Sequence, residues 1–142
     1  MSLIESVKSY LATYAGLEKN APLWVDYLSS EPTGYAIIPL PGTKIVESYI
    51  NGGSLREFPF SFRSMELTAD EAERLDNNGF FESFAAWLEE QTFAGVLPEL
   101  EAGKKPIKIQ AVNWVFLYER GESDTAIYDI QCKLTYEQDP IS

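Results

Sequence analysis

Residues 126–137, Ala-Ile-Tyr-Asp-Ile-Gln-Cys-Lys-Leu-Thr-Tyr-Glu, alternate without a break. Ala126, Tyr128, Ile130, Cys132, Leu134 and Tyr136 fall on one side, and Ile127, Asp129, Gln131, Lys133, Thr135 and Glu137 on the other. Successive side chains of a strand point to opposite faces, so this segment reads as a half-buried strand with one apolar and one largely polar face. Cys132 belongs to the apolar set and reads as a small buried hydrophobe. Upstream, across a turn containing Gly121, Ile107 to Tyr118 supplies a partner strand. There Trp114, Phe116 and Tyr118 share one face, while Val115 and Leu117 make the other apolar too. Apolar residues on both faces predict cover on both sides.

A second hairpin lies further upstream. Lys44 to Ile50 and Leu55 to Ser64 flank Asn51-Gly52-Gly53-Ser54, residues that tolerate the positive φ of a tight turn. Phe58, Phe60 and Phe62 alternate onto one face, and Glu57, Pro59, Ser61 and Arg63 onto the other. Pro59 has no amide to donate, which predicts an edge strand or a bulge. Leu23 to Leu28 and Tyr35 to Ile38 read as short strands, bounded by Ser29-Ser30-Glu31-Pro32 and Pro39-Leu40-Pro41-Gly42.

Two segments carry helical spacing. Ser2-Leu3-Ile4-Glu5 has the form of a capping box, and Leu3, Ile4, Val7, Tyr10, Leu11 and Tyr14 follow as an apolar stripe. This predicts a helix over 3–15, stopped by Gly16. Thr68-Ala69-Asp70-Glu71 is a second box, ahead of Leu75, Phe80, Phe81, Phe84, Trp87 and Leu88. Asn77-Asn78-Gly79 predicts a break there, giving helices over 69–77 and 80–92, then a loop over 93–105. The order of elements is α+β: a mainly antiparallel sheet with two to three helices packed on one face, in a single domain over 1–142.

Charge narrows the function classes. Of the formal −11, the stretch from Glu66 to Glu101 holds −9, with ten carboxylates against Arg74 alone. A pI near 4.4 argues against binding nucleic acid or anionic membranes, both of which need basic surface. Cys132 is the single cysteine, so no internal disulfide or cysteine metal site forms, which suits a reducing compartment. No signal peptide or apolar run long enough to span a bilayer is present, so a soluble intracellular domain is expected.

The inventory for catalysis is thin. The chain has no histidine, which removes Ser-His-Asp, Cys-His and His-ligated zinc chemistry. Gly95 to Lys104 imitates a P-loop, but the glycines stand eight positions apart instead of five, and Lys105 replaces the magnesium-binding hydroxyl. Glu89 and Glu90 are adjacent on a helix and diverge. Asp70, Glu71 and Glu73 crowd a helix N-terminus, where the macrodipole favours negative charge. Asp26 and Asp129 read as outward-facing strand positions. Trp24, Trp87 and Trp114 read as core aromatics. No cofactor, metal or catalytic set is expected, and no enzyme.

These motifs resemble a family. Ser2-Leu3-Ile4-Glu5-Ser6-Val7, Val25-Asp26-Tyr27-Leu28 and Glu31-Pro32-Thr33 with Tyr35 carry the first part of the likeness, and Gly53-Ser54-Leu55-Arg56 continues it. Asn78-Gly79-Phe80-Phe81-Glu82 with Phe84-Ala85 and Trp87-Leu88-Glu89-Glu90-Gln91, Gly103-Lys104-Lys105-Pro106, and Ile130-Gln131-Cys132-Lys133-Leu134 with Tyr136 complete it. Over nearly its whole length the chain is similar to the minor capsid or tail-terminator-type proteins of the head–tail connector region of tailed phages and prophages. The resemblance implies a tail-terminator-like fold and a virion subunit made in the bacterial host cytoplasm. It further implies a ring, typically hexameric, that caps the tail tube and joins it to head-completion proteins. Some relatives carry a chloramphenicol-resistance label; acetyl transfer through a catalytic histidine is closed to this chain.

Ring subunits extend sheets or bury apolar strand faces across copies. The two candidate self-assembly strands are the one bearing Glu57, Pro59, Ser61 and Arg63 and the one bearing Val115 and Leu117. The acidic surface of Asp70, Glu71, Glu73, Asp76, Glu82, Glu89 and Glu90 would repel passing DNA. An alternative use of the same acidity is an inhibitor that imitates DNA and blocks a nucleic-acid enzyme.

Overall fold

The computed structural model describes residues 2–18, 21–28, 33–121 and 124–140. The elements run α1 (Leu3–Leu11), β1 (Leu23–Val25), β2 (Gly34–Pro39), β3 (Ile45–Ser48), β4 (Ser54–Leu67), α2 (Glu71–Ala94), β5 (Lys104–Ala111), β6 (Phe116–Arg120) and β7 (Thr125–Gln138). They build an α+β fold with a mixed sheet.

Strands β4 and β7, fourteen residues each, pair antiparallel from Ser54↔Gln138 to Leu67↔Thr125 and form the sheet's spine. On one side, β2 pairs with residues 60–65 of β4 and β3 with residues 54–56, while β1 runs parallel to β2. On the other side, β5 takes the C-terminal half of β7 and β6 the N-terminal half. The alternation of 126–137 is therefore realised, and all six of its apolar residues are buried. Phe60 and Phe62 join them beneath α1 and α2 in one core with Val7, Leu11, Phe81, Phe84 and Leu88. Aromatic rings dominate it: Phe62 stacks on Phe84 at 4.5 Å, and Tyr14 bridges the two helices by meeting Trp87 at 4.9 Å.

Several expectations need correction. The strand bearing Pro59 is central, not an edge, because β7 pairs with its whole length. Pro59 is tolerated by a gap: β2 reaches only Phe60 and β3 only Arg56. Its carbonyl accepts from Leu40 in the connection between them, so its missing N–H faces no ladder partner. The segment 107–118 is two strands. Val112 N–H donates to the Gln131 carbonyl and Asn113 Oδ1 accepts from Gln131 N–H, pinning an irregular link between β5 and β6.

Helix α2 is continuous through Asn77-Asn78-Gly79. Asn77 donates to the Leu67 carbonyl and Asn78 to the Arg74 carbonyl, so both amides are spent without breaking the helix. Its N-cap is Asp70, which accepts from Glu73 N–H, and not Thr68. Gly95, at φ 77°, closes its other end. The capping box of Ser2 and Glu5 forms, but α1 stops at Leu11 and turns occupy 12–17. Strand β1 ends at Asp26, whose φ of 57° turns the chain. The turn expected over 29–32 lies outside the described residues.

Candidate assembly surfaces

The helix-free face of the spine is polar yet partly buried. Arg63 and Asp129 are register partners, and Arg63 Nε donates to Asp129 Oδ2 at 2.5 Å with the carboxylate only 1% exposed. The Tyr118 ring lies 4.0 Å from the Arg63 guanidinium and caps it, which strengthens a partly desolvated cation. Lys133 Nζ pairs with Glu57 at 2.8 Å on the same face. The 40–44 connection crosses nearby, with Gly42 against the Pro59 ring. Leu40, Pro41, Pro59, Val112, Gln131 and Lys133 line an open hollow of about 390 Å³ there. Ser61 Oγ, Thr135 Oγ1 and Asp129 Oδ1 are buried without a protein partner among the described residues. Of the expected self-assembly residues, Glu57 and Arg63 are paired within the chain, Pro59 lines the hollow and Ser61 is buried. Asp129, read as an outward-facing position, is instead among its most buried charges.

The sheet's margins differ. Strand β6 and the link before it leave Trp114, Phe116, Leu117 and Tyr118 exposed, Trp114 by 77%. Within the chain these side chains are uncovered, and Trp114 lacks the core role expected of it. Trp24 is also exposed, edge-on to Tyr27, whereas Trp87 does join the core's rim. Of the two remaining expected strand residues, Leu117 is exposed and Val115 packs against the core. On the opposite margin β3 is exposed at every position, with Ile45 and Val46 facing outward. Sequence reading missed these two; the only signal was an apolar pair next to Lys44 in a strand that its register shift leaves loosely paired.

The acidic surface is real: Asp70, Glu71, Asp76, Glu82, Glu89 and Glu90 are exposed and Glu73 is half-exposed along α2. Glu66 stands apart, lining an open pocket of about 320 Å³ with Glu18, Tyr35 and Asp76. Burial first, and then the Glu18 charge, raise its carboxyl above the usual range, against a hydrogen bond from Thr33. Burial likewise pushes the Tyr35 hydroxyl up to about 12, and the Cys132 thiol well above its ordinary value. A thiol held protonated and enclosed is a packing group, not a nucleophile. Gly103 opens a strand and no helix, so the P-loop imitation lacks the helix N-terminus that binds phosphate. Among the described residues no group of three or more His, Cys, Asp or Glu side chains is placed to hold a metal ion. Among the described residues no helix is long and apolar enough to cross a membrane.

No protein-family model matches this chain, and no curated protein matches it significantly.

Proposed function

We propose that the chain is a structural assembly subunit, a tail-terminator-like minor capsid protein that forms a ring at the head–tail junction of a tailed phage or prophage. The observation that carries this reading is the run of exposed apolar and aromatic side chains at Trp114, Phe116, Leu117 and Tyr118 on a sheet margin. Such a run is costly to leave in water and is normally covered by a partner. The motif resemblance supplies the kind of partner: copies of the chain in a hexameric ring, together with tail-tube and head-completion proteins. On this reading the sheet, antiparallel in all pairs but β1–β2, is a tail-terminator-like sheet. The protein then resides in the virion, after assembly in the host cytoplasm.

The acidity of α2 suits a wall that repels DNA. It suits a DNA imitation less well. Glu71, Glu73, Asp76, Glu82, Glu89 and Glu90 span 20 of the 24 residues of α2, so charges recur every ~6 Å, against one per ~1.7 Å along duplex DNA.

The test is electron microscopy of polymerised tail-tube protein mixed with this chain. The expected result is ring-shaped density on tube ends and arrested tube growth. Unaltered tubes, together with salt-sensitive capture of a basic nucleic-acid enzyme, would replace this reading with the inhibitor.

A further inference from the structure

The sequence holds two Asn-Gly pairs, Asn51-Gly52 and Asn78-Gly79, and the fold treats them oppositely. Such a pair is chemically labile, because glycine has no side chain to keep its amide nitrogen away from the asparagine carboxamide. Asn51 and Gly52 form the exposed tip of the β3–β4 hairpin. Tyr49 N–H donates to the Gly53 carbonyl at 2.8 Å, and Gly52 N–H to the Tyr49 carbonyl at 3.0 Å. These bonds enclose a three-residue loop whose last member, Gly52, is left-handed at φ 91°. Asn51 Oδ1 accepts from Gly53 N–H at 2.9 Å, which draws charge from the carboxamide carbon. Its Nδ2 makes no hydrogen bond among the described residues.

Asn78-Gly79 lies inside α2, and there Asn78 Nδ2 is tied to the Arg74 carbonyl at 2.9 Å. The next two residues fasten the helix to the core: Phe80 stacks on Tyr35 at 5.6 Å and Phe81 is fully buried. Attack at either asparagine requires the peptide plane before glycine to rotate out of its folded setting. At Asn51 that rotation disturbs only an exposed loop. At Asn78 it breaks the helix mid-length and withdraws aromatic rings from the core. Local opening costs almost nothing at exposed turns and approaches the global unfolding free energy in packed helices.

We infer that Asn51 is a site of spontaneous covalent modification in the folded protein, and that α2 protects the chemically equivalent Asn78. The Gly52 nitrogen attacks Asn51 Cγ and forms a C–N bond. The Cγ–Nδ2 bond breaks, and Nδ2 leaves as ammonia with the proton that the Gly52 nitrogen gives up. Water then opens the cyclic imide. Cleavage between Cγ and nitrogen yields aspartate; cleavage between the main-chain carbonyl carbon and nitrogen yields isoaspartate, with the chain running through Cγ. One water is consumed, one ammonia is released, and nothing is oxidised or reduced. Both products add a negative charge beside Glu47 and Glu137, which already flank the Tyr49 hydroxyl. Isoaspartate also lengthens the loop by one carbon, so the two bonds across it no longer fit together. Strand β3 has little else to hold it, since it meets β4 at three register positions with a shift among them. The isomerised chain therefore releases β3, whereas β4 stays paired with β7 along its whole length.

The test ages the whole folded chain in warm, mildly alkaline buffer, with a parallel sample unfolded in urea. Peptide mapping by mass spectrometry follows amide-to-acid conversion at both asparagines, and enzymatic methylation of isoaspartyl carboxylates counts the isomerised product. In the folded protein Asn51 should convert faster than Asn78 by more than about tenfold, and in urea the two rates should converge. Hydrogen exchange of the isomerised fraction should be faster at Glu47 and Tyr49 and unchanged across β4 and β7. An Asn51 that outlasts Asn78 in the folded chain, or an Asn78 that converts as fast, overturns the proposal. A rate ratio that persists in urea would trace to neighbouring residues and not to the fold, and overturns it as well. Isomerised protein whose β3 exchanges like fresh protein overturns the release of that strand.

Discussion

The two faces of the β4–β7 spine come from the same residues in alternation, yet they are buried by opposite chemistry. On one face Phe60 and Phe62 meet Cys132 and Ile130 under two helices, and aromatic packing does the holding. On the other, Arg63 meets Asp129 and Glu57 meets Lys133 without any helix above. Dispersion and water exclusion are tolerant of register, because neighbouring apolar residues substitute for one another. A charge pair between directly opposed residues is not. A one-residue slip of β7 against β4 would carry Asp129 to the helix side, away from Arg63, and drive Ile130 into the polar layer. The apolar face accounts for stability, and the polar face specifies which pairing that stability rewards.

That division is measurable. Phe62→Ala empties the centre of the aromatic cluster and should cost about 3–5 kcal/mol in denaturant unfolding. Asp129→Ala removes a carboxylate that is 1% exposed and strands a guanidinium that is 19% exposed. Because Arg63 keeps some water and the Tyr118 ring, the expected loss is smaller, about 2–3 kcal/mol. Replacing both partners, Arg63→Met with Asp129→Leu, should cost less than Asp129→Ala alone, because no charge is left unpaired. If the single substitution proves neutral, the polar face is ordinary solvated surface and the contrast fails. If the double variant is the worse of the two, the pair contributes net stability and not merely register.

The cover over the apolar face offers a smaller test, one that also separates what was legible in the sequence from what was not. Period-two alternation over 126–137 and the row of phenylalanines identified two strands and their buried faces, though not that these strands pair with each other, because each is a local pattern that burial on one side imposes. The Asn51–Ser54 turn was legible for a similar reason: Gly52 sits at φ 91°. What misled were residues whose local preference is met by a distant partner. Asn77-Asn78-Gly79 reads as a break, but Asn77 finds the Leu67 carbonyl ten residues away and the helix runs on. Gln131 holds the Val112–Asn113 link, so a periodic count over 107–118 could not see two strands. The pairing of Arg63 with Asp129, 66 residues apart, leaves no mark in either neighbourhood. Of the exposed apolar margins, Leu117 was visible as part of a doubly apolar strand, but Val46 became visible only once β3 was seen to be a margin. Since Gly79 is exposed within a helix and an added Cβ would meet nothing within 4 Å, Gly79→Ala should stabilise by about 0.5–1 kcal/mol. A destabilising result would restore the break and leave the aromatic face with two short covers.

The smallest expected effect lies where the two chemistries meet, at the end of β4. Glu66 belongs by alternation to the helix side, as Phe62 does, but it is a carboxylate held largely out of water. Its folded pKa is raised, chiefly by burial, so between the unfolded and folded values the native state binds more protons than the unfolded chain. Stability therefore falls as pH rises through that window, and the penalty is complete once the pH is above the folded value. Below the ordinary carboxylate value of about 4.3 it is absent, because both states are protonated. Glu66→Gln keeps an oxygen for the Thr33 hydroxyl and abolishes the titration. The thermal midpoint should rise by at most a few °C at pH 7 and stay level with wild type in acid. A midpoint lowered at neutral pH would mean that the charge is used, and that the aromatic side of the sheet, like the other, depends on a specified ion.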